Sequence, residues 1–369
     1  MSAPRLEIRL DRIHHNAKTL VDRLALLGVG VVGVTKAALG LPEIARTLIS
    51  AGVTGIGDSR IENIETMRRA GLPCDFTLIR SPMISQAERV VAHADVSHNT
   101  EIDVVERLSA CAQAQGRTHG VLLMVELGDL RDGILPAQLP EFVGQVLRLP
   151  NIAFRGIGTN LACQSGVAPD QENMDVLSSL ADSLEATLGV DVETVSGGNS
   201  ANLGWALSTA DPGRVNALRL GEAILLGRDP LHRKAIEGLH TNAFTLVAEV
   251  IECKRKPTKP WGELGQTAFG PVKARTDRGV ISQAILALGR QDIDPDGLEA
   301  PDGMEVLGAS SDHLVLDAGP SSPAIGSEVM LQLNYSALLR AMTSPFVTRV
   351  ISEGDGKAED RGLASGVAT

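Results

Sequence analysis

Short apolar runs alternate with amphipathic stretches eight times between about residue 28 and residue 227. The amphipathic stretches have a helical period: in SRIENIETMRRAG, Ile61, Ile64 and Met67 fall on one face and charged residues fill the other. A strand followed by a helix, repeated eight times, predicts an α/β fold of the (β/α)8 barrel type, since doubly wound open sheets usually contain fewer strands. The predicted strands are Gly28–Thr35, Val53–Gly57, Asp75–Arg80, Ala94–His98, Val121–Leu127, Ala153–Leu161, Val192–Gly197 and Ala217–Leu220.

The sequence changes character after about residue 238. The runs FTLVAEVIECK, GVISQAILALG, MEVLGASSDHLVLD and EVMLQLNY are strand-like and are separated by Gly, Pro and Asp turns, with a helical pattern only at Ser336–Met342. We therefore predict a barrel domain over residues 1–235, a smaller β-rich domain over residues 236–352 and a disordered polar tail over residues 353–369. The opening LEIRL is also strand-like and is a candidate to pair with the second domain.

Composition excludes several classes of partner. The formal net charge is −11, no basic cluster is present, and aromatic residues make up only 2% of the chain, so neither nucleic acid nor an anionic membrane surface is an expected partner. The N-terminus has no apolar run after a basic start, and no stretch approaches the roughly 18 apolar residues of a membrane span. The four cysteines are widely spaced and form no disulfide pattern, which predicts reduced thiols in a cytoplasmic protein.

Lys36 ends the first predicted strand, in VVGVTKAALG, and Lys18 is the only other lysine among the first 233 residues. A lysine at the carboxyl end of a barrel strand points into the face where barrel active sites are built. A partly desolvated amine there can form a Schiff base with an aldehyde cofactor. Taken alone, the pattern also fits a lysine that extends into solvent from a strand end.

Two glycine-rich turns follow the seventh and eighth predicted strands. They are SGGNSAN, which contains Ser196 and Ser200, and LRLGEAILLG, which spans residues 218–227. Such turns present bare backbone N–H groups at helix starts and suit a phosphate, which barrels often bind after these two strands. Plain turn chemistry also favours Gly, Asn and Ser, so each turn alone is weak evidence.

Two arginines are candidates for the interior of the barrel mouth. Arg219 lies within the apolar eighth strand, where a buried guanidinium must have hydrogen-bond acceptors. It could form a structural ion pair or donate to a cofactor ring nitrogen. Arg131, in ELGDLRDG, follows the fifth strand and could point inward or lie on the surface.

The order of these residues, followed by a β-rich domain, resembles the alanine racemase superfamily, which comprises the pyridoxal phosphate (PLP) enzymes of fold type III. The resemblance covers nearly the whole chain and includes the opening EIRLDRIHHN. A further set of motifs is similar to the ornithine racemase branch, and it is specific as a set rather than motif by motif. The set is VTKAALG, GDLRDG, GTNLAC, SGGNSANL, GRQD, LGASSDHLVLD and LNYSALLRAMTSPFV.

The resemblance implies PLP as the cofactor and racemisation of a basic amino acid, such as ornithine or lysine, as the activity. Lys36 would form the Schiff base and act as one acid/base. Ser200, with the backbone around Gly221, Glu222 and Ala223, would hold the phosphate, and Ser196 is a further candidate cofactor contact.

Three more barrel residues acquire roles through the resemblance. Arg219 would face the pyridine nitrogen and leave it unprotonated, because a guanidinium is not a practical acid. A ring with an unprotonated nitrogen is a weaker electron sink, which favours simple α-proton exchange over elimination or transamination. Arg131 would lie near the phenolic oxygen or the substrate carboxylate. Asn160 occupies the position at which alanine racemases have a histidine under the ring.

The chain departs from the alanine racemase pattern at two aromatic positions. The tyrosine that acts as base on the opposite face is matched by Phe269, in GQTAFGP, and the phosphate-binding tyrosine is matched by Phe346. Phenylalanine cannot move a proton. The single tyrosine, Tyr335, matches a C-terminal helix instead, so alanine racemase itself is not expected.

The SSDH sequence supplies the candidates for the base on the opposite face of the substrate. His313 has a side chain that titrates near neutral pH and is the expected second base, although a structural histidine is an even alternative. Asp312 could share in catalysis or hold the distal ammonium of a basic substrate. Ser311, with Arg131, completes the expected substrate contacts.

Two other functions remain open on the same scaffold. A lyase or aldolase related to D-threonine aldolase would use a metal beside PLP, but only His313 with Asp312 or Asp317 offers a ligand pair, so we predict no metal. A PLP-binding protein without turnover would be a single barrel, and the extra domain of about 130 residues argues against it. The resemblance further implies a two-fold homodimer in which the β-rich domain of one subunit closes the barrel mouth of the other.

Overall fold

A computed structural model of the protein describes residues 2–271 and 276–354. Residues 355–369 of the predicted tail lie outside the described residues. The chain forms two compact units: Ile13–Thr241, and the first twelve residues together with the chain from Asn242 onward.

The unit Ile13–Thr241, described throughout, contains a closed barrel of eight parallel strands, as the sequence pattern predicted. Each strand pairs with the next along the chain, and the last pairs with the first through Val31 and Leu218. Most strand residues are buried, which is why the strands are largely apolar; in β6 all seven residues are buried. They are β2 (Gly30–Val34), β3 (Gly55–Asp58), β4 (Phe76–Leu78), β5 (Val96–Asn99), β6 (His119–Val125), β7 (Ile152–Thr159), β8 (Thr194–Gly198) and β9 (Ala217–Leu220).

Helices connect successive strands of the barrel, and one further helix precedes the first strand and another follows the last. The face predicted for the third helix is the buried one: Ile61, Ile64 and Met67 are 0 to 1% exposed. The helices are α1 (Leu10–Ala25), α2 (Pro42–Ser50), α3 (Ile61–Arg69), α4 (Ala87–His93), α5 (Ile102–Ala114), α6 (Leu139–Val146), α7 (Gln171–Leu188), α8 (Leu203–Ser208) and α9 (Glu222–Leu226). No helix among the described residues combines the length and the apolar character that a bilayer crossing requires.

The other unit is built on a mainly antiparallel sheet. Its main path runs β12, β15, β10, β11, β14, β13, and β1 lies between β10 and β16. One helix, α10 (Tyr335–Thr343), covers the predicted helical stretch with one residue more at each end. The described strands of this unit are β1 (Arg5–Arg9), β10 (Phe244–Pro257), β11 (Val280–Leu286), β12 (Leu298–Glu299), β13 (Glu305–Ala309), β14 (Leu314–Asp317), β15 (Glu328–Leu333) and β16 (Thr348–Ser352).

The division between the units differs from the predicted boundary at residues 235 and 236. The chain up to Thr241 stays with the barrel because it bonds to it: Ile236 N donates to Gly227 O at 2.9 Å, and His240 N donates to Asn16 Oδ1 at 2.7 Å. Asn16 also donates to Ile224 O at 2.9 Å. The bonds of Asn16 join residues more than 200 positions apart, so they leave no local mark in the sequence.

Candidate active site

Polar side chains gather at the carboxyl ends of the barrel strands. Lys36 begins a short 3₁₀ turn (Lys36–Ala38) directly after β2. Arg131 and Asn160 follow β6 and β7, Ser200 follows β8, and Arg219 lies within β9. Because the eight strands are parallel, these residues belong to one mouth of the barrel, the end at which barrel enzymes carry their active sites.

Lys36 is partly buried in this mouth. Burial lowers the pKa of its ammonium group, and the positive charges of Arg131 and Arg219 add to the effect. A lowered pKa leaves a larger share of neutral amine near pH 7, which is the form that attacks an aldehyde. Lys36 therefore has the environment of a reactive amine rather than that of a lysine extended into solvent.

The backbone just before Lys36 is fixed by a buried carboxylate, Asp58, at the end of β3. Its Oδ2 accepts from Thr35 Oγ1 at 2.8 Å, and its Oδ1 accepts from Arg60 N and Asn63 Nδ2 at 2.9 Å each. Burial raises the pKa of Asp58, while these donors stabilise its ionised form. Since Thr35 immediately precedes Lys36, Asp58 positions the start of the lysine turn.

Arg219 is 5% exposed and its guanidinium is held by the barrel. It donates to Ser196 Oγ at 2.5 Å, to Thr159 O at 2.6 Å and to Asn160 Oδ1 at 3.5 Å. Burial, with a further contribution from Arg131, lowers the pKa of Arg219 to about 10. The guanidinium therefore remains protonated near pH 7 and can only donate. Ser196 lies with Arg219 in the barrel, not with Ser200.

Asn160 has a donor without a partner. Its Oδ1 accepts from Asn199 Nδ2 at 3.2 Å and from Arg219, which fixes the orientation of the amide. Its Nδ2 is buried and has no hydrogen-bond partner among the described residues. An unpaired buried N–H donor costs about 1–3 kcal/mol, so a ligand that accepts from Asn160 would recover that free energy.

The glycine-rich turns after β8 and β9 come together through Ser200. Its Oγ accepts from Gly221 N at 3.3 Å and from Ala223 N at 3.1 Å, at the start of α9. Glu222, between them, accepts from Arg233 Nη1 at 2.5 Å instead of facing Ser200. Burial raises the pKa of Glu222, and Arg233 opposes that rise. Ser200 and the two N–H groups thus form a polar corner of the barrel mouth.

Arg131 lies half-buried on the loop after β6. It pairs with Asp132, and its Nη1 donates to Cys163 Sγ at 3.2 Å on the loop after β7. The two loops are tied together by the buried carboxylate of Asp129, which accepts from the backbone N–H groups of Cys163, Gln164 and Ser165 at 3.0 to 3.3 Å. Asp129 therefore positions the loop against which the Arg131 guanidinium lies.

Replacing Asp129 with asparagine is expected to loosen the loop after β7. The amide has one acceptor oxygen in place of two, and its NH₂ group would face the backbone donors. We expect hydrogen–deuterium exchange at the amides of Cys163, Gln164 and Ser165 to speed up by about tenfold or more, the equivalent of one lost buried hydrogen bond. Asp170→Asn is the matched control, since Asp170 caps α7 and asparagine caps helices equally well. Unchanged exchange at these amides in Asp129→Asn would remove Asp129 from this role.

The second-face candidates lie in the β-rich unit, on the turn between β13 and β14. Asp312 Oδ1 accepts from His313 Nδ1 at 2.9 Å, from Ser311 Oγ at 3.1 Å and from Ser310 Oγ at 3.3 Å. The hydrogen bond from His313 lowers the pKa of Asp312. His313 is 45% exposed at its side chain, so it is not a core histidine. Because a carboxylate only accepts, His313 Nδ1 carries the proton and Nε2 is left as the basic nitrogen.

Phe269 also lies in the β-rich unit, 51% exposed. The guanidinium carbon of Arg290 lies 5.1 Å from its ring centroid, a cation–π arrangement. Phe346 is 66% exposed. Neither side chain can transfer a proton. Within residues 2–271 and 276–354, no three His, Cys, Asp or Glu side chains are grouped as metal ligands.

The sequence pointed to the strand ends but missed three of the buried polar residues there. Asp58 and His98 each lie at or next to the end of a barrel strand, and Asp129 lies inside the GDLRDG motif itself. A polar residue at the carboxyl end of an otherwise apolar barrel strand was the available signal. Only the fold shows which of these carboxylates holds which loop.

Comparisons with known proteins agree on one family. The family model described as alanine racemase, N-terminal domain, matches residues 8–229. A lysine racemase from Thermotoga maritima is 41% identical over 353 residues, which are 95% of this chain and 99% of that protein. An ornithine racemase from Acetoanaerobium sticklandii is 35% identical over 350 residues, which are 94% of this chain and 99% of that protein.

Solved structures with the same fold are more distant in sequence. The alanine racemase from D-cycloserine-producing Streptomyces lavendulae superposes with a TM-score of 0.75 at 20% identity, covering 96% of this chain and 98% of that one. The D-threonine aldolase from Filomicrobium marinum also gives 0.75, at 18% identity, covering 95% and 91%. Since one fold serves both chemistries, these likenesses establish the architecture alone.

Proposed function

The chain belongs to the alanine racemase family, and from that premise we propose that it is a PLP-dependent racemase of a basic amino acid such as ornithine or lysine. Two relatives that align with nearly the whole chain carry the names lysine racemase and ornithine racemase. The observation within this chain that carries the proposal is the barrel mouth itself, where Lys36 has a lowered pKa beside the buried Arg219.

The residues at the barrel mouth fit PLP. Asn160 Nδ2 is a buried donor that awaits an acceptor among the described residues. Lys36, Arg131 and Arg219 surround the same space with basic groups, which suits an anionic phosphate ester. Ser200 and the N–H groups beside it would hold the phosphate. When bound, PLP supplies the electron sink that makes the α-proton of an amino acid removable.

Each residue of the mouth then has a defined task. Lys36 Nζ would hold the cofactor's aldehyde carbon and move the α-proton on one face of the substrate. Arg219 would donate to the pyridine nitrogen without protonating it, because its pKa of about 10 keeps the proton on the guanidinium. Asn160 Nδ2 would donate to the bound cofactor, and Arg131 would bind the substrate carboxylate or the phenolic oxygen.

The opposite face needs a second proton donor and acceptor, and we assign it to His313. The Asp312 carboxylate holds Nδ1–H and so orients Nε2 as the base, the same arrangement by which carboxylates orient catalytic histidines elsewhere. Asp312 uses Oδ1 for its three turn contacts, which leaves Oδ2 for the distal ammonium of a basic substrate. Ser311 lies beside it as a further polar contact.

The proposal is tested with purified protein, PLP and single enantiomers. The bound cofactor should absorb at about 410–430 nm. L- and D-forms of ornithine, lysine and alanine are then followed by chiral chromatography and by uptake of solvent deuterium at the α-carbon. We expect kcat/KM for ornithine or lysine to exceed that for alanine on the order of 10²-fold or more, since a site built for a distal ammonium loses that contact with alanine. Preference for alanine, or deuterium uptake without inversion, would contradict the assignment.

We also propose that the active enzyme is a two-fold homodimer whose sites combine Lys36 of one subunit with His313 of the other. In support, the β-rich unit exposes three large apolar side chains within one short stretch of the chain: Trp261 is 88%, Leu264 59% and Phe269 51% exposed. The arrangement follows the family resemblance and two-fold symmetry.

Mixing two inactive variants tests the shared site. Lys36→Ala and His313→Asn are each expected to be nearly inactive as homodimers. In a heterodimer, one site would contain both substitutions and the other would contain neither. Subunit exchange should therefore restore about a quarter of wild-type activity per total site if exchange is statistical. Activity that stays at the level of the separate variants, or a fully active monomer in sedimentation, would reject the shared site.

A further inference from the structure

His98 lies one residue before the end of β5, and it belongs to none of the contacts described above. Asn99 Nδ2 and the His119 ring both bond to Ser97 Oγ, at 3.0 and 2.8 Å, so Ser97 and Asn99 share one face of the strand. Successive strand residues alternate between faces. His98 therefore points to the other face.

That other face is the barrel interior. A Cβ on Gly197 would lie 3.3 Å from Leu218 and 3.4 Å from Met174 of α7, so Leu218 faces the helices and Arg219 faces the interior. Ser196, bonded to Arg219, therefore also points inward.

The register connects His98 to this interior face. A Cβ on Gly158 would lie 3.0 Å from the Ser196 side chain and 3.2 Å from Leu122 Cδ2, which places Leu122 inside as well. Leu122 is the register partner of His98. Side chains opposite one another on paired strands share a face, so His98 points inward at the same mouth as Arg219.

His98 is a neutral imidazole surrounded by cations. It is 3% exposed, and neither ring nitrogen is hydrogen-bonded to any residue in 2–271 or 276–354. Burial, and then the charges of Arg219 and Arg131, lower its pKa well below the usual range. Near pH 7 it therefore offers one N–H donor and one lone pair, both unused.

An unused donor at this depth matches an anionic acceptor. The mouth already contains Lys36, Arg131 and Arg219, so a fourth cation would be repelled, while a neutral N–H adds a hydrogen bond without adding charge. A substrate ammonium would be repelled by the same arginines. The proposed function gives the phosphate of PLP to Ser200 and the pyridine nitrogen to Arg219. The phenolic oxygen remains as the acceptor on the cofactor.

We propose that His98 is a cofactor-binding residue that donates a hydrogen bond to the phenolic oxygen of PLP, beside Arg131. This inference rests on the proposed function and extends it to a residue of the fourth barrel strand. His98 acts by holding the cofactor, and it transfers no proton.

The test compares two cofactors on three proteins. Apo-protein of the wild type, His98→Leu and His98→Gln is titrated with PLP and with 3-deoxypyridoxal 5′-phosphate, which lacks the phenolic oxygen, and the apparent Kd is read from absorbance. His98→Leu should weaken PLP binding by about tenfold or more, the effect of losing one hydrogen bond to a charged group. The same substitution should leave the Kd of the deoxy analogue unchanged. His98→Gln, whose amide can donate, should restore PLP binding to within about threefold of wild type.

The outcomes separate this inference from the proposed function. If wild-type protein binds no PLP, the proposed function itself fails. If it binds PLP but His98→Leu binds both compounds as wild type does, the function stands and the His98 contact is wrong. Equal loss for both compounds in His98→Leu would also overturn the contact, since the effect would then not involve the phenolic oxygen. Should His98→Leu fail to fold, the same comparison with His98→Gln and His98→Asn decides, because only a donor of adequate reach should retain selectivity for PLP.

Discussion

Lys36→Ala is expected to reduce racemisation on the order of 10³-fold or more, because it removes both the attachment point of the cofactor and the base on one face. In wild-type protein, borohydride should fix PLP to Lys36 irreversibly, and peptide mapping should find the label there. In Lys36→Ala the absorbance at about 410–430 nm should be absent even with excess PLP.

Lys18→Ala is the matched control for this result. Lys18 is the one other lysine in the first 233 residues, lies on α1, is 52% exposed at its side chain and pairs with Asp22. Its removal should leave both the chromophore and the activity intact, since an exposed i,i+4 pair contributes about 0.5 kcal/mol or less. Label on any lysine other than Lys36 would overturn the assignment of the cofactor site.

The barrel could be read from the sequence because its signals are local. Each strand is a short apolar run, and each helix has a face such as Ile61, Ile64 and Met67, so the alternation is visible without knowing what pairs with what. Strand order then follows, because right-handed strand–helix–strand connections place successive strands side by side.

The division between the units could not be read in the same way. The sequence did predict that the first strand, Arg5–Arg9, could pair with the second domain, and this is confirmed, but it did not identify the partner strands, β10 and β16. Residues 228–241 stay with the barrel through a bond to Gly227, which directly precedes them, and through a bond to Asn16, 224 residues before His240. Neither the choice of partner strands for β1 nor the bond between His240 and Asn16 has a periodic signature, because each joins residues more than 200 positions apart.

The same distinction between local signals and distant contacts applies to the candidate site. Lys36, Ser200 and Arg219 were visible because a charged or hydroxyl side chain at the end of an apolar strand is conspicuous. The roles of the Asp129 carboxylate and of Asn160 Nδ2, which has no partner within the described part of the chain, were not visible, because they depend on which groups the fold brings close to them. For His98, the strand was predicted, but the choice between its two faces required the register with β6.

Replacing His313 with asparagine is expected to separate proton exchange from racemisation. Lys36 should still exchange the α-proton of one enantiomer with solvent, while inversion should fall on the order of 100-fold or more, because the proton donor on the other face is lost. The Asp312–His313 hydrogen bond carries this prediction, since it leaves Nε2 as the basic nitrogen on an exposed turn. PLP absorbance should be unchanged, which distinguishes a lost base from a damaged barrel.

Deuterium uptake, measured separately for each enantiomer, decides whether His313 is the base opposite Lys36. Asp312→Asn is the companion variant. If Asp312 orients His313, the Asp312→Asn substitution should lower kcat with little change in KM. If Asp312 Oδ2 instead binds the distal ammonium, the same substitution should raise KM for ornithine or lysine but not for alanine. In both cases we expect exchange from the Lys36 face to persist, because Lys36 and the other residues of the barrel mouth are unchanged in both variants. Normal racemisation by His313→Asn would make His313 structural. The second proton would then have to come from water, from Tyr335 or from another group, since neither Phe269 nor Phe346 has an ionisable proton to give.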